Sequence, residues 1–573
     1  MISQAEQKRR LKALEKRHEE YDPEERLVKR YMGGAYSYNH YARNMDVHPT
    51  RESLGYAVAL LDTYDDSFLD RAQDVLRRII DIQEDDPNHQ HYGVWPHLME
   101  EPLGKGPYVD RNWADFLGKD MLHVMIFHKD RLPAELADEV EASLRRAVEA
   151  IRIRNVGAGY TNIAVMGSYV TLVAGETLRD DEILERGLDR LQILHEHTQE
   201  TGTFTEYNSP TYTMVALRDL SGFRHHVKHP KGKQMVDDLF RIAWETVAHH
   251  FHVPSRQWVG PNSRYYAVFT GEDVLRFIER WTSAKVDFGY GEAPGEPDLE
   301  DMAAQCPADL EDFFVALDQP RTLVQTVQKR SPISLISTTY VTPELGLGTV
   351  NHQDLWNQRR NIVAFWGNYK APSYCRVRLM YDGYDLSTGA LWTVQDKNRV
   401  LGAVTFATDG GGKHLSLEKL ENGTFEAEEL SLRFEFGGAA ASVELPSPGS
   451  LDQPVHIDFG DLSVGIQVPF ARFDNSDLRW ETGRADVERV GEGSFLDVTI
   501  HRGDSRVFVL PEIQEAVVVF GLQVGGDNMI APATATQQGD LVAAQWGDLS
   551  FAVPIRPNTY RAMREHVTGI RKS

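Results

Sequence analysis

The spacing of apolar residues changes once along this chain, and that change limits the fold more than any other feature. From about residue 50 to 285 they recur at helical spacing: Phe68, Ala72, Val75, Leu76 and Ile79 make one stripe, and Leu136, Val140, Leu144, Ala147, Val148 and Ile151 make another behind Pro133. Further helices are predicted over about 54–64, 114–129, 162–174, 181–197, 211–222, 233–251 and 272–282. Later the period falls to two. Leu430, Leu432, Phe434 and Phe436 alternate with polar neighbours, Val498 and Ile500 do the same, and AVVVF at 516–520 reads as a strand buried on both faces. Asp382-Gly383 and Asn422-Gly423 are turn signals that suit hairpins. Between the halves, residues 284–312 become acidic and rich in Pro and Gly, as a linker does.

The expected fold is therefore multidomain α + β. A helical extension over 1–49 with Leu11 and Leu14 on one side precedes an (α/α)n toroid over 50–315 and an antiparallel β-sandwich over 316–573. Long Gly, Pro and aromatic connections between the helices suggest loops gathered at one mouth of the toroid. The net charge of −24 repels phosphate backbones and anionic lipid, so neither nucleic acid nor a membrane is an expected partner. An acidic glycan would need its own cluster of Arg or Lys. Cys306 and Cys375 are the only cysteines, too few for a disulfide framework or a thiolate metal site. The first 30 residues lack the apolar core of a secretory signal and no run of about 18 apolar residues occurs, so a cytoplasmic protein is expected.

Three strings stand out. TGTFTEYNSPTYTMVAL, residues 201–217, crowds Glu206, Tyr207, Asn208, Ser209, Pro210 and Tyr212 between helical stretches. Ser209 suits a helix cap with Pro210 at the first helical position, which puts Tyr212 in the first turn. The plainer reading is a capped loop whose tyrosines fill space. Upstream, Asn162 opens an apolar helix, where an Asn is ordinarily a cap. Downstream, His352, Gln353, Trp356, Asn357, Gln358, Arg359 and Arg360 lie among β-like segments; a solvated edge could carry them, but paired arginines also make a carboxylate clamp.

The Glu206, Ser209, Pro210 and Tyr212 spacing, with Asn162 on the preceding apolar helix, resembles the heparinase II/III superfamily of polysaccharide lyases and its alginate lyase and chondroitin-hyaluronate lyase relatives. The resemblance covers roughly residues 50–370. It implies Tyr212 as proton donor and base, Asn162 as neutraliser of a uronate carboxylate, and His352 reaching in from the β-domain. Ile163 and Thr213 stand where that family often has histidines. Comparison with the chondroitin and hyaluronate lyases, through their G-S-F-x-Q-H string, sets Tyr207 where they keep their catalytic His and Ala216 where they keep their Tyr; the choice between Tyr207 and Tyr212 is open, with Tyr212 preferred. The resemblance also leaves room for a structural metal in the β-domain; no cofactor is expected, and a homo-oligomer is compatible with the sequence.

The chemistry suits these residue types. Elimination removes the proton α to a uronate carboxylate, so hydrogen-bond donors must stabilise enolate-like charge. A Tyr with an ordinary pKa of about 10 needs nearby cations to serve as a base. Arg264, Arg359 and Arg360 are the candidates, and Glu206, Asn208, Asn262, Asn112 and Gln358 are further polar groups for a sugar. Trp95, Trp113, Trp258 and Tyr92 in the loops could stack on pyranose rings or simply pack. His195-Glu196-His197, His225-His226 with His229, and His249-His250 with His252 have the wrong helical spacing for metal ligands, so no metal site is expected from them. No phosphate loop and no G-x-S-x-G elbow occurs. A polysaccharide lyase with an anionic glycan substrate is the reading. The alternatives are a toroid glycoside hydrolase using Asp110, Asp115 or Glu206, and a non-catalytic glycan-binding protein.

Overall fold

The computed structural model describes residues 2–33, 42–104, 109–291, 303–410, 420, 422–487, 490–526 and 532–570. Most of the acidic linker (292–302) and part of the loop after Gly104 (105–108) lie outside them. The chain groups into two compact units: residues 1–200, 215–241 and 291–305 in one, and 201–214, 242–290 and 306–573 in the other. The S-P-x-Y string thus shares a unit with the strands.

In the first unit α1 (Gln4–Ala13) and α2 (Glu15–Glu20) form the mixed-charge N-terminal segment. The helices α3 (Thr50–Asp62), α4 (Leu69–Ile82), α5 (Trp113–Phe127), α6 (Ala134–Arg154), α7 (Thr161–Leu178) and α8 (Asp181–Gln199) pack in consecutive pairs, and α3, α5 and α7 also touch in succession. That is the layered arrangement of an α/α toroid. The α4 stripe of Ala72, Val75, Leu76 and Ile79 is buried as its period requires. Helix α7 is buried on all sides from Thr161 to Gly175, which explains a sequence apolar all round. Its crossing with α8 is close enough to demand glycine, because a Cβ on Gly187 would lie 2.4 Å from Leu172 Cα. Asn162 is the second residue of α7 and not its cap, a place Tyr160 takes. No helix among the described residues is long and apolar enough to cross a membrane.

The second unit holds a nine-stranded and a six-stranded antiparallel sheet among the described residues. Leu347, Ile362, Phe434 and Leu496 of one and Leu391, Val404, Ile466 and Phe520 of the other share one core, giving a β-sandwich. The strand 516–520 is buried throughout because a second layer, the three-stranded sheet of residues 534–554, covers its other face with Val542, Trp546 and Phe551. Asp382-Gly383 closes a two-residue hairpin between Tyr381 and Tyr384, both turn residues having positive φ. Cys306 and Cys375 are buried free thiols.

The large sheet also buries charge. Arg376 Nε and Arg378 Nη1 donate to Glu435 at 2.6 and 2.7 Å, Tyr374 Oη donates to the same carboxylate at 2.8 Å, and Arg378 spans to Asp385. Burial alone would raise the Glu435 carboxyl, but the two guanidiniums outweigh it and hold it well below the usual range. The stability this contributes is present above the ordinary glutamate pKa and is lost as pH falls through the lowered one. Glu435→Ala removes the carboxylate that Arg376 pairs with and leaves Arg378 with Asp385 alone, and it is expected to lower the stability of this unit by about 3–5 kcal/mol, read from the urea midpoint.

Candidate active site

The second unit brings Tyr212, Arg264 and Tyr266 together. Helix α9 (Tyr212–His226) starts two residues after Pro210, and Ser209 caps it: Ser209 Oγ accepts from Tyr212 N at 3.0 Å and donates to the Arg264 carbonyl. Asn208 adopts φ +46 and ties the string down, its Nδ2 donating to the carbonyls of Val259 (2.9 Å) and Pro261 (3.0 Å) and its Oδ1 accepting from Trp258 Nε1. Next to it Gly260 has φ +94, and a Cβ there would lie 2.5 Å from Thr339 Oγ1. The following segment is held from both sides. Ser263 N donates to Tyr207 O, Asn262 and Arg360 exchange main-chain hydrogen bonds, and Tyr265 N donates to Gln358 O at 2.7 Å.

Arg264 is the centre of this arrangement. Its guanidinium lies 4.5 Å above the Tyr212 ring centroid and 5.4 Å from that of Trp356. Nε donates to Gln358 Oε1 at 3.0 Å, Nη2 to Tyr266 Oη at 3.0 Å, and Nη1 stands 3.5 Å from Glu206. Tyr212 and Tyr266 share a hydroxyl hydrogen bond of 2.6 Å, and Tyr266 is 41% exposed, so the pair leads from a half-buried phenol to solvent. Burial raises the Tyr212 pKa above its ordinary value, the Arg264 charge opposes the rise, and the bond to Tyr266 adds to it. At neutral pH Tyr212 is therefore a protonated phenol.

The other expected site residues fall elsewhere. Tyr207 is buried against Val327, Leu335 and Val350, and burial pushes its pKa up to about 12. His352 is fully buried, with Nδ1 2.8 Å from Tyr560 Oη and Nε2 3.3 Å from the Ile333 carbonyl. Burial, with Arg330 and Arg564 nearby, lowers its pKa to about 3, so it is a neutral ring within the β-layers. The paired arginines part company. Arg360 donates to the carbonyls of Tyr265, Ala267, Asn357 and Arg359 and is a buried strut, not a clamp, whereas Arg359 pairs with Asp354 and lies 5.5 Å from the Trp356 ring centroid. Trp258 and Trp95 are packing residues, not sugar platforms: they are 3% and 1% exposed, and Trp95 Nε1 donates to the Ile79 carbonyl. Asn262 is buried with its main chain in the bridge to Arg360.

Asn162, Asn112, Trp113, Asp110 and Asp115 belong to the helical unit. Asn112 joins Arg154 and Tyr160, and Trp113 donates to Thr50 Oγ1 at 3.1 Å beside His97. Burial lifts Asp115 to about 7 against the opposing charges of Arg154 and Arg190, and raises Asp110 as well. Tyr266 was missed from the sequence. Its signal was its place two residues after Arg264, a spacing that carries meaning only once the segment's direction is known.

A family model described as a domain of unknown function (DUF8769) matches residues 25–282. No curated protein matches the sequence. Among solved structures the chain is similar to heparinase III, with 11% identity and a TM-score of 0.46 over 97% of this chain and 91% of that one. It is also similar to heparan sulfate lyase HepC from Pedobacter heparinus, with 10% identity and a TM-score of 0.32 over 88% and 82%. A third is the chondroitin lyase ODV-E66, a baculovirus envelope protein, with 11% identity and a TM-score of 0.31 over 88% and 80%. The α/α toroid and β-sandwich described above are the fold that the motif resemblance implies.

Asn208→Ala removes a residue that tolerates the left-handed backbone and three buried hydrogen bonds. It is expected to cost about 2–4 kcal/mol, with Asn208→Gly recovering only the backbone part; thermal unfolding of the two variants separates the terms.

Proposed function

We propose that this protein cleaves a uronate-containing glycan by β-elimination, with Tyr212 as the proton-transferring group. The observation that carries the reading is the Tyr212 phenol held under the Arg264 guanidinium and hydrogen-bonded to a solvent-facing Tyr266. Elimination breaks the C–H bond α to the carboxylate and the adjacent C–O bond, and forms one C=C bond. The proton that leaves carbon must be matched by one delivered to the departing oxygen. A phenol suits the second task as it stands. For the first it must lose its proton, and the bond to Tyr266 offers the path while Arg264 supplies positive charge for the phenolate. Arg264 and Gln358 are the donors in the same unit for a substrate carboxylate or hydroxyl. Uronate neutralisation by Asn162 rests on the motif resemblance alone.

Glycoside hydrolysis is the competing reading, favoured by Asp115, whose elevated value suits a general acid. An absorbance assay over a panel of uronate glycans decides between them, because elimination alone leaves an unsaturated, ultraviolet-absorbing end without consuming water. Tyr212→Phe is expected to lower kcat by on the order of 10³-fold while leaving glycan affinity nearly unchanged. A variant that keeps most of its rate removes Tyr212 from the chemistry. Because the phenol titrates above its ordinary value, kcat/KM is expected to climb with pH through 7–9 as phenolate grows. A plateau already reached near neutrality would point to a different base.

A further inference from the structure

We propose that Asp62, His123 and His128 form a binding site for a divalent transition metal of the zinc class in the helical unit. Asp62 is distant in sequence from the two histidines. Asp62 is the last residue of α3, His123 lies in α5, and His128 stands at the C-terminal cap of α5. A spacing of five does not put two side chains on one helix face. His128, however, leaves helical geometry with φ −129 and ψ 0, and its ring comes round to the carboxylate that His123 also meets. Both Nε2 atoms point at Asp62 Oδ1, at 3.1 Å from His123 and 2.7 Å from His128, and the three donor atoms lie within 4.8 Å of one another. In a tetrahedral zinc site, bonds of about 2.0–2.2 Å place donors about 3.3 Å apart, close to both imidazole–carboxylate distances here, so an ion enters once the carboxylate draws back and the two rings close on it.

The surroundings suit a metal in three ways. Asp62 is 5% exposed, and its second oxygen, Oδ2, is buried with no hydrogen-bond partner among the described residues, an orphan that bidentate coordination would satisfy. His128 is fully buried, which would shield a bound ion from bulk water. His123 retains some exposure, which gives a metal ion a route to the site. The frame is rigid, because Arg10 Nη1 donates to the Asp62 carbonyl at 2.8 Å and Arg131 Nη1 to that of Leu61 at 2.6 Å. The outer shell is incomplete. With metal on Nε2 the His128 proton sits on Nδ1, which has no partner among the described residues, so affinity is expected to fall about 10–100-fold short of a fully supported site. The role this geometry fits is structural, joining the end of α3 to the end of α5.

The test uses the tag-free full-length chain, stripped with a chelator and titrated with Zn²⁺ by calorimetry and with Co²⁺ by visible absorption. One ion per chain, a tetrahedral Co²⁺ spectrum and a rise in Tm with Zn²⁺ are expected. His123→Gln, at the partly exposed ligand, is expected to weaken binding at least tenfold while the chain stays folded, and Asp62→Asn to weaken it further. If Asp62→Asn does not fold, His123→Gln decides. Absence of stoichiometric binding in the wild type, or binding unchanged in His123→Gln, overturns the proposal, since the three groups would then be a hydrogen-bonded carboxylate with two imidazole donors.

Discussion

The β-containing unit builds its candidate site around a single guanidinium. Arg264 carries a full charge with its side chain only 16% exposed, a position that is costly unless its surroundings offset the lost hydration. They do so on every side: Tyr212 and Trp356 present ring faces, Gln358 and Tyr266 present oxygen acceptors, and Glu206 presents a carboxylate. Each of those groups is in turn oriented by Arg264, so the phenol, the amide and the indole are positioned by the same electrostatic demand.

The backbone under this cluster is equally tied. The segment from Gly260 to Tyr266 cannot slide, because it is bridged to Arg360 and Gln358 and to the carbonyl of Tyr207. Its bend needs a glycine at 260 and a left-handed Asn at 208. Arg360, which reads as a substrate clamp in sequence, spends its donors on four carbonyls of this support. Burial lowers its pKa to about 9 and the carbonyls hold it in place. Two adjacent arginines therefore serve different ends: one fixes the loop and the other faces Trp356 and Asp354.

Much of the architecture was legible in the chain. The helices α5, α7 and α8 and the helix Glu272–Trp281 fall within a few residues of their predicted spans, because amphipathic or wholly apolar patterns leave each one stable position. The cap at Ser209 placed Tyr212 in a first turn by local rules alone. Local rules fail at the aromatic loop residues. Trp95, Trp113 and Trp258 look alike in Gly/Pro-rich strings, yet Trp95 and Trp258 are sealed in packing with their indole N–H groups hydrogen-bonded. His352 has the composition of a site residue and the burial of a core residue. The cluster of Asp62 with His123 and His128 has no sequence spacing to announce it.

The sequence by itself determined the change from helical to strand periodicity, much of the secondary structure and the residue types that could transfer a proton, since periodicity, capping and turn chemistry act over a few residues. Tertiary structure decided which of those residues meet. Tyr212 and Tyr266 are 54 positions apart, Arg264 and Gln358 are 94 apart, and their association follows from chain closure and burial of charge, which no local pattern encodes. The same physics separated Tyr212, half-buried beside a cation, from Tyr207, enclosed among aliphatic side chains five residues away.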